Sequence, residues 1–270
     1  MEVKWVPGFA GLSVPHTATS TAALLAASAG VGTVKCGLTG LAPATTYAFA
    51  MYSPGGTKGG LGLMQPVLIA GDLLVILAYG GFPRQEDLSL IRDLLLFTLL
   101  GLLLGYFLLG AISDSLVRRL LGAAILVTAW RRWMRKKPAE PVKTNQRSLE
   151  ITSLIRTALL GTLCGIVSVL TNNSGLLLDA YLLGLNLPKP RFLSVRSSYL
   201  FVAGIMKLAG HLFFAVLPIH VLPFSLCLCV LTGAGVLVGK QIVQRIPQRA
   251  FDVIAWTFVV LAALRLVAWG

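Results

Sequence analysis

Ten apolar runs separated by polar breaks organise this chain. They cover about residues 22–41, 44–51, 59–80, 91–112 and 116–130, then 152–171, 174–187, 197–217, 222–240 and 251–268. The longer runs approach the roughly 20 residues that a helix needs to cross a hydrocarbon core. Two fall short, 44–51 and 174–187, each the second in its group of five. Turn-forming stretches punctuate the series: Ser53-Pro-Gly-Gly56, Gly80-Gly-Phe-Pro83 and Pro188-Lys-Pro190. The pattern predicts an all-α, polytopic transmembrane helical bundle. Short segments at matching places also predict broken or re-entrant helices near the midplane, where irregular backbone survives only if it is buried in protein or lines a cavity.

The two groups of five share sequence as well as layout. Gly101-Leu-Leu-Leu-Gly105 returns 134 positions later as Gly235-Val-Leu-Val-Gly239. Ala70-Gly71 returns as Ala203-Gly204 and Gly32 as Gly165, both 133 positions later. With 28 glycines in the chain, one match means nothing. Three in one order, at a nearly constant offset, point to duplication. The expected organisation is an exposed leader (1–20), a first transmembrane repeat (21–130), a basic linker (131–150) and a second repeat (151–270).

Charge supplies the orientation. The linker holds Arg131, Arg132, Arg135, Lys136, Lys137, Lys143 and Arg147, with Pro138 and Pro141, and is expected in the cytoplasm by the positive-inside effect. An odd number of crossings per half then makes the halves inverted repeats, the arrangement by which many carriers open one central site to either side. Arg118 and Arg119 fit that orientation poorly.

Composition narrows the class. The chain is 56% hydrophobic and 12% charged, about half the charge of a soluble domain. Its net charge of +13 would suggest nucleic acid in a soluble protein, but basic membrane loops account for it here, so no nucleic-acid partner is expected. The expected setting is the lipid bilayer of the plasma (inner) membrane, with a homo-oligomer possible. Cys36, Cys164, Cys227 and Cys229 lie in apolar runs without C-x-x-C spacing and read as small buried hydrophobes, so no metal is expected. No G-x-S-x-G, H-E-x-x-H or phosphate-binding loop is present, so neither an enzyme nor a cofactor is expected.

Charged and polar residues within apolar runs are the site candidates, because a charge there costs at least about 2.5 kcal/mol on insertion scales. The most informative stretch is Thr171-Asn-Asn-Ser-Gly175, between a spanning run and a short one. Asn172, Asn173, Ser174 and Gly175 either hydrogen-bond an anion at a helix N-terminus or only satisfy backbone groups freed by a kink. Lys35 aligns with Ser168 of the second repeat, one turn before that break; it either contacts the anion or snorkels. Thr39 aligns with Asn172. Asp72 follows the Ala-Gly anchor of the first half, and Lys207 lies one turn beyond the matching anchor of the second. Those two either pair with each other, or Lys207 binds the anion. Asp179, in Leu-Leu-Leu-Asp-Ala-Tyr, either accepts a coupling proton or pairs with a basic residue. His211 and His220, near a helix end, read as interfacial.

Pro66-Val-Leu-Ile-Ala-Gly-Asp-Leu-Leu-Val-Ile-Leu-Ala-Tyr79 resembles the first half of the TauE/SafE family of sulfite-exporter-like permeases. Gly165 to Leu183, Leu187-Pro-Lys-Pro-Arg-Phe192 and Ile205-Met-Lys-Leu208 resemble that family's Asn-containing helix, its Leu-Pro-Lys loop and its later Lys. The resemblance spans about residues 22–268. It implies a permease for small anions such as sulfite or an organosulfonate, working as an exporter. In the family's pattern, Lys35-Cys36-Gly37 matches a Lys followed by glycines, with Cys36 in place of one of them. Asn172 and Gly175 match its Asn and Gly, and Leu176 stands where a Pro is common. These departures bear on the substrate more than on the fold. The alternative function is a channel-like or binding-only membrane component without coupled transport.

Overall fold

The computed structural model describes residues 5–7, 13–15, 18–38, 42–53, 56–83, 85–108, 123, 126, 146–172, 174–185, 187–214 and 221–269. Within them it is helical apart from a small hairpin, in which β1 (Trp5–Pro7) pairs antiparallel with β2 (Ser13–Pro15). The helices are α1 (Ala18–Lys35), α2 (Ala42–Tyr52), α3 (Gly56–Ala78), α4 (Gln85–Leu108), α5 (Gln146–Thr171), α6 (Ser174–Gly184), α7 (Lys189–Phe213), α8 (Leu222–Arg245) and α9 (Gln248–Trp269). Three stretches are long and apolar enough to cross a membrane: Asp87–Leu108, Lys189–Phe213 and Leu222–Arg245. Outward faces such as Leu99, Leu103 and Phe107 of α4, and Val230 and Leu237 of α8, carry the exposed apolar surface that a bilayer covers. The two short helices, α2 and α6, are 11 residues each and fall where the sequence places them.

Several boundaries differ from the hydropathy reading, each for a local reason. The first helix ends at Lys35, not near residue 41, because Gly37 takes a left-handed φ of 107° that stops the ladder. In the second repeat the helix runs three aligned positions further, to Thr171, and the left-handed residue is Asn172, whose φ of 57° is one that Asn enters more readily than most side chains. Helix α7 begins eight residues before the apolar run at 197. Pro188 caps it and Pro190 sits in its first turn, where no backbone N–H is needed. The polar stretch 85–92 forms the first turns of α4, and α5 starts at Gln146, inside the expected linker. Residues 131–145 of that linker lie outside the described residues.

The compact units do not follow the two sequence halves. The first comprises residues 1–83 and 188–255; the second comprises 84–187 and 256–270. In the first, α1 packs against α8, and α3 against α7 and α8. Its apolar centre includes Leu24, Val31, Phe49, Leu63, Phe224 and Leu228. In the second, α4 packs against α5.

Those two interfaces are the same contact made twice. At Gly32 of α1 a Cβ would fall on the Thr232 carbonyl oxygen and 2.6 Å from the Val236 nitrogen. At Gly165 of α5 it would fall on the Thr98 carbonyl oxygen and 2.6 Å from the Leu102 nitrogen. Reciprocally, Gly235 meets Ala29, and Gly101 meets Thr162. Thr232 Oγ1 donates to Ser28 O across the first interface at 3.2 Å, and Thr98 Oγ1 donates to Gly161 O across the second at 3.2 Å. Every pair aligns at the offsets of the sequence repeat. Small residues let helix backbones touch, and the threonine hydroxyls join the pairs where water is absent. The glycines that revealed the duplication are therefore its packing contacts.

Candidate functional site

The first unit buries charge in its interior. Lys35, Asp72, Arg196 and Lys207 are each 6% exposed or less. Three cations thus lie with one carboxylate on α1, α3 and α7. Local structure explains how they meet. Lys35 is the last residue of α1, so its stem can lie along α3, where its Cγ would be 3.1 Å from a Cβ at Gly71. A side chain at 71 would crowd that path. The ammonium then reaches Asp72 Oδ2 at 2.5 Å, across 37 residues of sequence. Thr232 of α8 closes the same pocket, 3.2 Å from the Gly71 Cβ position.

Helix α7 runs antiparallel to α3. Ser194 Oγ donates to Gly81 O at 3.0 Å, and Gln65 Nε2 donates to Gly204 O at 2.9 Å. Asp72 lies between those two levels. Arg196 and Lys207 are eleven residues apart, just over three full turns, so they share one face of α7. Arg196 Nη1 approaches the Lys35 carbonyl at 3.5 Å, where the C-terminus of α1 leaves carbonyls without helical partners. Lys207 lies close enough to Lys35 for their charges to repel. His211, one turn beyond Lys207, is 1% exposed. Ser197 and Ser198 beside Arg196 are buried, and neither hydroxyl has a protein hydrogen-bond partner among the described residues.

Of the residues singled out from sequence, Lys35, Asp72 and Lys207 are thus brought into one buried group. Asp72 pairs with Lys35, and Lys35 is buried rather than snorkelling to an interface. Asn172, Ser174, Gly175 and Asp179 belong to the second unit. There Asn172 makes the left-handed turn between α5 and α6, Ser174 opens α6, and Asp179 is 1% exposed. Thr39 and Asn173 lie outside the described residues.

Two members of the group went unrecognised in the sequence. Arg196 falls just before the apolar run that begins at 197, and His211 reads from the sequence as interfacial. The signal for both was present: Arg196, Lys207 and His211 recur at helical spacing once α7 is begun at Lys189.

The Leu-Pro-Lys loop has a structural task. Lys189 Nζ donates to Val243 O at 3.1 Å and to Ile246 O, closing the C-terminus of α8. Its backbone N–H donates to Gln248 Oε1 at 2.8 Å, and its ammonium lies 5.9 Å from the centroid of the Phe251 ring. Phe192 meets Phe251 edge-on at 5.9 Å. A basic residue at a helix C-terminus complements the dipole there.

Comparison with known proteins agrees with this arrangement. No curated protein and no solved structure matches the chain. The family model described as "Sulfite exporter TauE/SafE" matches residues 22–266, from the first turns of α1 to the end of α9. The chain, an integral membrane protein of duplicated helical halves, therefore belongs to the TauE/SafE sulfite exporter family.

Proposed function

We propose that this chain is a secondary permease that exports a small oxyanion, sulfite or an organosulfonate, across the plasma membrane, and that Lys35, Arg196 and Lys207 attract it. The observation that carries this reading is the excess of buried cations over carboxylate on converging faces of α1, α3 and α7. A buried group in which cations outnumber the carboxylate carries net positive charge, which favours a ligand of opposite sign. Asn172, Ser174, Gly175 and Asp179 are assigned to the second unit's part in the cycle, and the two halves to inverted repeats.

Isotopic counterflow in proteoliposomes tests the proposal. Vesicles loaded with unlabelled sulfite or sulfoacetate should transiently accumulate the labelled anion against its gradient. Equilibration without overshoot would identify a channel, and binding without flux a receptor-like component; either result overturns the carrier reading.

A further inference from the structure

We infer that Phe251, packed with Phe192 and Leu193 on Gly37, is the inner gate of the anion path: a thin apolar layer between the basic end of the first unit and its buried cations. The inference rests on the anion-permease reading above and adds to it the residue that admits the anion.

Three layers follow one another along α7. Lys189 opens the helix, Phe192 and Leu193 come three and four residues later, and Arg196 comes three residues after Leu193. That spacing keeps them on one side of the helix, with Lys189 and Arg196 about 10 Å apart along the axis. Lys189 is partly exposed, whereas Phe192, Leu193 and Arg196 are buried. The neighbouring helices repeat the order. Arg245 and Arg249 are exposed at the end of α8 and the start of α9, Phe251 is buried, and Lys35 lies two residues before Gly37. The layer itself is dense. Phe192 meets the Phe251 ring edge-on at 5.9 Å. A Cβ on Gly37 would lie 2.8 Å from the Phe251 ring and 3.5 Å from Leu193. The ring therefore rests on bare backbone at the turn that ends α1.

This position suits a gate. A packed apolar constriction excludes the water that an ion needs, so it stops ions by dewetting. It lies at the end that Lys189, Arg191, Lys240, Arg245 and Arg249 make basic, whereas residues 208–239, which include the opposite ends of α7 and α8, hold no Lys or Arg. The positive-inside effect assigns the basic end to the cytoplasm. Exposed cations there raise the local concentration of anions. An exported anion meets those cations first, then the apolar layer, then Arg196 and Lys35. Opening needs only the start of α9 to lift, which carries the Phe251 ring off Gly37. Lys189 is the latch. Its backbone N–H donates to Gln248 Oε1 on α9 at 2.8 Å, its ammonium lies 5.9 Å from the centroid of the Phe251 ring, and the same ammonium donates to Val243 O on α8 at 3.1 Å.

The test uses the full-length protein in inside-out and right-side-out membrane vesicles, with Ala203→Cys as the reporter. Ala203 is buried on α7, seven residues beyond Arg196 and on the same face. The probes are two membrane-impermeant methanethiosulfonates, one bearing a sulfonate and one a trimethylammonium group. Each forms a disulfide with the thiol and releases methanesulfinate, and labelling is read from the mass of the peptide that holds position 203. Phe251→Ala should speed sulfonate labelling from the cytoplasmic side about tenfold or more, because the dry constriction is gone. It should leave labelling from the other side unchanged, and the sulfonate reagent should outpace the ammonium one. Tyr79→Ala, at the same end of α3, should change neither rate. A merely structural ring contact would lower folded yield without a one-sided rise. An unchanged rate in F251A, an equal rise from both sides, a rise in Y79A alone, or faster labelling by the ammonium reagent overturns the inference. Wild-type counterflow of sulfite alongside any of those results leaves the permease reading intact; absence of counterflow removes both. If F251A gives no folded protein, Phe251→Leu takes its place, since it keeps an apolar side chain but shortens it, and the same one-sided rise is required.

Discussion

Removing the Lys35 ammonium should destabilise the protein more than any loss of a surface charge, and removing Asp72 with it should restore most of that loss. The pair spans 2.5 Å between side chains 7% and 2% exposed. Breaking a buried pair from one side leaves an uncompensated charge and costs about 3–5 kcal/mol. At roughly 2–4 °C per kcal/mol for a chain of this size class, K35A should melt about 6–20 °C below wild type. D72N should also lose stability, and the double variant K35A/D72N should lie above either single variant, because both members of the pair are removed together. The assay is a double-mutant cycle on detergent-purified protein, read by intrinsic fluorescence on heating and by the monodisperse fraction on gel filtration. Added sulfite should raise the melting temperature of D72N, since an anion can replace the missing carboxylate, and should raise that of K35A/D72N less, because one of the three cations is gone. Melting of K35A within a degree or two of wild type, or losses that simply add in the double variant, would refute the pair as a buried, coupled unit.

Three further outcomes follow from the packing and the site. Gly32→Ala and Gly165→Ala place a methyl on the equivalent carbonyls of Thr232 and Thr98, so each should lower folded yield to a similar degree, by about 1–3 kcal/mol of overpacking, measured by gel filtration of detergent extracts; Gly184→Ala, with nothing within 4 Å, is the neutral control. Lys189→Ala should cost roughly 1.5–3 kcal/mol by removing two charge-assisted bonds to the end of α8, and hydrogen exchange should show Val243–Ile246 opening first. Arg196→Ala should lower counterflow about tenfold or more through a raised KM, because it removes a buried cation beside Lys35 while leaving the Lys35–Asp72 pair in place; an unchanged KM would place Arg196 outside the site.

Much of the architecture was legible without coordinates. Apolar run lengths gave the helices, and the two short runs gave α2 and α6, because the need for roughly 20 residues to cross hydrocarbon leaves few alternatives. The glycine anchors at 32, 101, 165 and 235 gave the duplication. They mark positions where backbones touch, and that demand acts on residue identity directly. Helix ends were less legible. Hydropathy does not register a left-handed φ at Gly37 or Asn172, nor a proline-initiated first turn at Lys189, since the runs on either side stay apolar or turn basic without a visible stop.

The tertiary structure decided which charges belong together. The sequence offered Lys207 as one of the alternatives for Asp72 and did not single out Arg196. Partner choice depends on how a side chain leaves its helix. Lys35 reaches Asp72 because α1 stops there and Gly71 leaves a channel for its stem. Likewise, that the first helix of each half packs on the fourth helix of the other, making units that cut across the repeats, is set by matching small-residue surfaces rather than by order along the chain. Composition and periodicity determined that this is a duplicated membrane protein with too few intramembrane charges to be incidental. Only packing fixed the pairing of Lys35 with Asp72, because a burial free energy depends on where a side chain ends, not on where its residue begins.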